Sequence, residues 1–201
     1  TGLVSTAVFT IGGGSGKQTL VYGSTAGFAN LCLTNSTVLA NGAFIVTNWG
    51  IYGALTVKSG GELELRGFGN FNIYGMAITN QGTVTFTNGS ISTDNTFITN
   101  TGVWQITGAG SIHHGGSNPA RFFNAGILRK TLDPGSVELD MDLINLPSGT
   151  VDVQAGTLLL SPATTNFLSS SFTATSPGVL NLTGNETDAG ATMAGTGLFQ
   201  V

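Results

Sequence analysis

Cysteine occurs once, at Cys32, so neither an intrachain disulfide nor a cysteine metal cluster can form. Charge is nearly as scarce. Ten acidic and six basic residues make up 8% of the 201-residue chain, against roughly a quarter in an ordinary globular domain. Six scattered cations and a net charge of −4 leave no basic patch for nucleic acid or for an anionic lipid surface. No run of about 20 apolar residues is present, so the sequence offers no membrane span. No basic-then-apolar leader is legible at the N-terminus. Helical periodicity is missing as well: no segment repeats apolar residues at i, i+3, i+4 and i+7, and helix is expected to be scarce. Proline is rare, and Pro134, Pro147 and Pro177 fall in apparent turns. Cys32 lies in Asn30-Leu-Cys-Leu-Thr34 and reads as a small buried hydrophobe.

What is abundant is glycine, at 31 residues, and it is placed at intervals. A glycine followed by any residue and an aliphatic or aromatic recurs at Gly42-Ala-Phe44, Gly61-Glu-Leu63, Gly89-Ser-Ile91, Gly110-Ser-Ile112, Gly135-Ser-Val137, Gly156-Thr-Leu158 and Gly178-Val-Leu180, with steps of 19, 28, 21, 25, 21 and 22 residues. A period in the twenties, made of short β-prone runs and glycine turns, predicts a solenoid in which each unit buries its apolar side only by stacking on its neighbours. A second marker, Asn-x-Gly, occurs at Asn48-Trp-Gly50, Asn80-Gln-Gly82, Asn100-Thr-Gly102 and Asn124-Ala-Gly126, and in stretched form at Asn145-Leu-Pro-Ser-Gly149. Asparagine tolerates left-handed backbone and bonds to nearby main chain, and glycine takes positive φ freely. Stacked lap on lap, these asparagines are placed to form a hydrogen-bonded ladder.

After each turn comes an alternating strand. Val84, Trp104, Leu128 and Val151 occupy its second position, and Phe86, Ile106, Lys130 and Val153 its fourth. Between them lie Thr85, Gln105, Arg129 and Asp152. A period of two puts the first two sets inside and the third outside. Lys130 breaks the inward set, which implies either an ammonium reaching out past a rung edge or a bend in the strand. The expected fold is therefore all-β: a right-handed parallel β-helix of about eight coils, its hand taken from the crossover preference of parallel strands. Residues 1–40 depart from the period and are expected to be an N-terminal cap or irregular first coils; 41–201 are expected to be one continuous repeat domain. The chain opens at Thr1 in what reads as strand and closes on Ala194-Gly-Thr-Gly-Leu-Phe-Gln-Val201, which reads as the start of another. The reading is a segment of a longer protein, or a protomer whose ends another chain covers.

The T-N-x-G turns, the alternating strands and the G-[ST]-[ILV] steps resemble the repeats of large bacterial secreted and surface proteins, the autotransporter passenger domains and filamentous adhesins. Phe123-Asn-Ala-Gly-Ile-Leu-Arg-Lys-Thr131 and Ser148-Gly-Thr-Val-Asp-Val-Gln-Ala-Gly-Thr-Leu158 carry the likeness best. The resemblance implies a secreted or cell-surface rod, structural or adhesive and without catalytic residues. Its partners would be itself, neighbouring repeats, a glycan or a host surface.

Several residue groups carry chemistry against that background. The 28-residue step between Gly61 and Gly89 predicts a protruding loop at Arg66–Tyr74, and Arg66, Phe68, Phe71 and Tyr74 are the candidate binding residues. With Trp49 and Tyr52 the aromatics would make a sugar-stacking platform. Glu138, Asp140 and Asp142, at i, i+2 and i+4, share one strand face and are the candidate Ca²⁺ ligands, with Asp152 in the following coil. They are equally the acid and base that a glycoside hydrolase needs, and also what a plain solvated face looks like, with Leu139 and Met141 pointing inward. No cofactor is otherwise expected. His113-His114 with Arg121, Arg129 and Lys130 is the set a lyase of acidic polysaccharides would use; the simpler account is an insertion that lengthens one rung. Thr83, Thr85 and Thr87 alternate as in an ice-binding face, but Gln105, Arg129 and Asp152 end the array. Ile11-Gly-Gly-Gly-Ser-Gly-Lys17 only superficially resembles a phosphate loop: its first glycine is Ile11, Gln18 replaces the hydroxyl residue, and no helix follows.

Overall fold

A computed structural model describes residues 4–22, 30–47, 50–132, 134–161, 164–166, 170–183, 186–188 and 190–201. Among these residues there is no helix, and every strand pairing is parallel. The strands form a three-faced β-solenoid of about seven turns. One lap shows the plan. The chain runs along the first face at Thr83–Phe86, turns through Gly89 onto the second, and reaches the third as Thr96–Asn100. The next lap repeats this as Val103–Ile106, Gly110–His114 and Ala120–Asn124. The first described strands join the same stacks: Val4–Ala7 and Thr10–Ile11 pair with Asn30–Val38, and Gln18–Tyr22 pairs with Gly42–Val46.

Alternation within each strand fills the lumen with columns of like side chains. On the first face Phe44, Leu63, Val84, Trp104, Leu128, Val151 and Phe172 lie in register and are all buried. Ile91, Ile112, Leu139, Leu160 and Leu182 form the column of the second face, and Leu55, Ile78, Ile98, Phe122 and Leu143 that of the third. Each such side chain contributes about 1.5–3 kcal/mol by leaving water. The column shared by Val46, Leu65, Phe86, Ile106 and Val153 also contains Lys130, fully buried and held in strand register with Ile106 and Val153. Neither a bend nor an outward reach occurs there, so the aliphatic stem packs in the lumen with the rest of the column. Cys32 is the converse correction. It alternates between buried Leu31 and Leu33 and is itself half-buried, beside Tyr52 in register, as the period of two requires.

The asparagines form the expected ladder. Nδ2 of Asn80 donates to Oδ1 of Asn100 at 2.7 Å, Asn100 to Asn124 at 2.8 Å, and Asn124 to Asn145 at 2.9 Å. The second amide hydrogen of each donor goes to a carbonyl of the next lap: Val103, Ile127 and Thr150. Both donors of a buried amide are thereby satisfied. These asparagines lie in strands rather than in left-handed backbone, and their glycines do not have positive φ. Glycine is needed there for closeness instead. A Cβ on Gly102 would sit 2.2 Å from the Gly82 carbonyl oxygen, and one on Gly126 would sit 2.3 Å from that of Gly102. Asn48 and Trp49 of the first such turn lie outside the described residues.

The glycine series read from sequence is three columns, not one, with Gly135, Gly156 and Gly178 aligned two residues before the position of Gly89 and Gly110. Gly42, Gly61, Gly82, Gly102, Gly126 and Gly149 stand at the corner before the first face, whereas Gly89 and Gly110 pair with each other at the entry to the second. The 28-residue step therefore crosses from one corner to the other. It does not mark a long loop: Glu62–Asn80 is one strand, and of the segment expected to protrude Arg66 and Asn70–Tyr74 are paired with Thr83–Asp94. The extra residues are absorbed by register shifts between Leu65 and Asn70.

Candidate functional site

One lap is longer than those next to it at the corner between the second and third faces. Thr93 aligns with His114 and Thr96 with Ala120, so residues 115–119 replace the two residues Asp94 and Asn95 of the lap beneath. The insertion is pinned from below. The Asp94 carboxylate accepts from the Asn118 backbone N–H at 2.8 Å and from its side-chain amide at 3.1 Å. These bonds hold the Asp94 carboxyl below its ordinary range. From the same lap His114 Nε2 meets the Asn118 carbonyl at 2.6 Å. A carbonyl only accepts, so Nε2 carries the proton. Gly115 and Gly116 let the insertion lie flat: a Cβ on either would come within about 2 Å of Ser92 or Asp94 side-chain atoms.

The lap above has no matching insertion and turns this corner at Met141 alone. The step between the two laps leaves a cleft of 240 Å³ lined by His114, Ser117, Pro119, Ala120, Arg121, Asp140, Met141 and Asp142. Buried Ala120 and Met141 form its floor. Asp140 ends one strand and Asp142 begins the next, so they flank the opening from two faces. Arg121 reaches Asp142 at 3.7 Å, with the two side chains 46% and 42% exposed. At that length the guanidinium keeps most of its N–H donors for another partner.

The residues singled out from sequence are divided among several places. Glu138 and Asp140 lie outward on the second face beside Ser111 and His113, while Asp142 is beyond the Met141 corner beside Arg121. Leu139 and Met141 point inward. Among the described residues no three His, Cys, Asp or Glu side chains converge as metal ligands. Asp152 is on the first face and is fully engaged by Arg129 at 2.8 Å, Gln154 at 2.8 Å and Thr173 at 2.9 Å. Arg129 and Asp152 are thus remote from the cleft, whereas His114, Arg121, Asp140 and Asp142 come together in it. His113 turns the other way, with Nδ1 3.1 Å from Ser90 Oγ and 3.5 Å from Ser111 Oγ. Arg66 is clamped by Glu64 through two bonds of 2.5 and 2.8 Å, which raise its pKa. Tyr74 bonds Ser92 Oγ at 3.0 Å and meets Tyr52 edge-on at 6.2 Å. Phe71 pairs with Ile91 through its backbone, and the side chains of Phe68 and Phe71 lie outside the described residues. Lys17, in the loop that mimics a phosphate site, bonds Glu62 at 2.7 Å.

Ser117, Pro119 and Ala120 were not foreseen as lining residues; the signal for them was the 24-residue lap from Gly102 to Gly126 beside the 20-residue lap before it. Threonines do propagate, but on the third face rather than the first. Thr10, Thr37, Thr56, Thr79 and Thr99 stand in one column that ends at Phe123.

No family model matches the chain, and no curated protein matches it. One solved structure, a TibC-catalyzed hyper-glycosylated TibA fragment, aligns over 97% of this chain and 100% of that one at 13% identity with a TM-score of 0.20, a similarity too low to carry an argument. The architecture stands on its own strand register.

Proposed function

We propose that this chain is a structural or adhesive repeat segment of a secreted or cell-surface protein, wound as a right-handed β-helix. The observation that carries the reading is axial continuity. Apolar columns and the Asn80–Asn145 ladder run from lap to lap, so the interactions of the fold serve stacking along one axis. Right-handed winding follows from the strong preference of parallel crossovers. The surface and secretory setting rests on the resemblance of the repeats. Leu20 on one terminal lap and Met193 on the other continue the lumen column of the first face and are 37% and 47% exposed. No cofactor or metal is needed for this role, and the sparse, acidic charge does not suit nucleic acid.

Electron microscopy of the purified 201-residue chain, paired with a reducing-end assay on neutral and acidic polysaccharides, tests the reading. Rods or fibres without turnover are expected. Dispersed particles that depolymerise a polysaccharide would overturn it. The cleft favours a second reading, a glycan-binding module, in which the rod displays the site.

A further inference from the structure

We propose that the cleft between the 115–119 insertion and the Met141 corner binds one neutral sugar ring through adjacent hydroxyls. The inference rests on the glycan-binding reading of this cleft and does not depend on the rod reading.

Size is the first argument. At 240 Å³ the cleft falls just below the ~300–1,000 Å³ of ordinary small-molecule pockets, which suits a single ring rather than a chain of several. Chemistry is the second. A neutral sugar presents hydroxyls that both donate and accept, plus C–H faces that prefer apolar surface. The lining matches both: Asp140 and Asp142 accept, Arg121 donates, and Pro119, Ala120 and Met141 supply apolar surface. Among the described residues the Asp140 carboxylate has no hydrogen-bond partner and the Arg121 guanidinium only the long contact to Asp142, so both are open to a pair of neighbouring hydroxyls. Charged hydrogen bonds of this kind are the stronger ones.

Charge selects among sugars. Two carboxylates and one guanidinium line the cleft, and Arg129, the other cation a uronate site would use, is bound to Asp152 on a different face. A uronate or sulfated sugar would meet net negative potential here. A neutral ring meets none of that repulsion. Preorganisation is the third argument. The two hydrogen bonds from Asn118 to Asp94 and the His114–Asn118 contact fix the insertion before a ligand arrives, so little ordering is left for binding to offset.

The test uses the intact chain labelled with ¹⁵N, titrated with the methyl glycosides of glucose, galactose, mannose and N-acetylglucosamine, with galacturonate and Ca²⁺ as separate arms. Saturable shifts at the Ser117, Ala120, Arg121 and Met141 amides with at least one neutral glycoside are expected. Arg121→Gln and Asp140→Asn should each weaken that binding at least tenfold, and Lys58→Gln, exposed in the turn before Gly61, should leave it unchanged. The proposal falls if no neutral glycoside shifts these amides at tens of millimolar, if galacturonate binds more tightly, if Ca²⁺ alone produces the shifts, or if Arg121→Gln binds as well as the parent. Because the mapping is made on the parent chain, a misfolded variant does not decide the result. Filaments that bind no sugar would sink this inference and leave the rod intact; sugar binding by a dispersed, catalytically active chain would do the reverse.

Discussion

At the scale of single residues, position on a face matters more than residue type. Val151 lies between Leu128 and Phe172 in the first lumen column and is fully buried. Val151→Asp buries a carboxylate between Leu128 and Phe172 in an apolar column, and should cost more than ~4 kcal/mol, enough to unfold the chain at ambient temperature. Thr85, three strands away on the same face and facing out between Glu64 and Gln105, should accept Asp with a change under about 1 kcal/mol, the residual cost coming from its like-charged neighbour. Urea unfolding of the two variants measures the contrast; a stable Val151→Asp or an unfolded Thr85→Asp would reverse the assignment of inside and outside. Alternation made this legible at Val84, Trp104, Leu128 and Val151. It could not foretell Lys130, because the rule that keeps charge out of cores is statistical while strand register is geometric. Cys32 shows the same limit from the other side: an apolar setting in sequence, Leu-Cys-Leu, places its neighbours inside and therefore itself outside.

At the scale of elements, the ladder and the insertion make separate predictions. Asn100 gives and receives in the middle of the ladder. Asn100→Ala leaves the Asn80 amide without its acceptor and the Asn124 oxygen without its donor. The expected loss is about 2–3 kcal/mol in urea unfolding, one desolvated polar group on each side. Asn100→Asp should be worse than Ala, because a carboxylate would then face the Asn124 oxygen and the Ile127 carbonyl with no hydrogen to offer. The insertion depends on Asp94, whose folded pKa is depressed by its bonds to Asn118. A depressed carboxyl stabilises the fold above its unfolded pKa, and that stability is lost as pH falls through the lower, folded value. The clamp should thus be intact at neutral pH and release only in strong acid. A pH titration following the Asn118 amide shift should show this transition below the ordinary aspartate range, and Asp94→Asn should abolish it. The Asn-x-Gly corners were visible in sequence because the marker recurs once per lap, although the bonds and close approaches it serves run between laps. The cleft was not, since Arg121 and Asp142 become neighbours only when one lap settles on another. The supposed loop at 66–74 was misjudged for a related reason: Gly61 and Gly89 look alike in sequence yet stand at different corners, and a difference between corners reads as an insertion.

At the scale of the whole molecule, register rather than any one contact decides what can be removed. A solenoid in which each lap touches only its neighbours should tolerate loss of a complete lap and reject loss of part of one. Residues 82–101 make such a lap. Removing them joins Gln81 to Gly102 and keeps every column in phase: Leu63 comes under Trp104, Leu65 under Ile106, Ile78 under Phe122, and Asn80 can donate to Asn124 as it now does to Asn100. The shortened chain should keep its β circular dichroism and unfold in urea with an m-value reduced by roughly a tenth, in proportion to the surface lost. Removing 82–91 alone takes one face from a three-faced lap. The chain then cannot close, lumen side chains meet solvent, and the product should aggregate. The complete-lap deletion also removes Asp94, so the 115–119 insertion loses its clamp while the fold survives. Sugar binding in the cleft should therefore weaken in a chain whose unfolding remains cooperative, which separates the scaffold's contribution to stability from its contribution to the site.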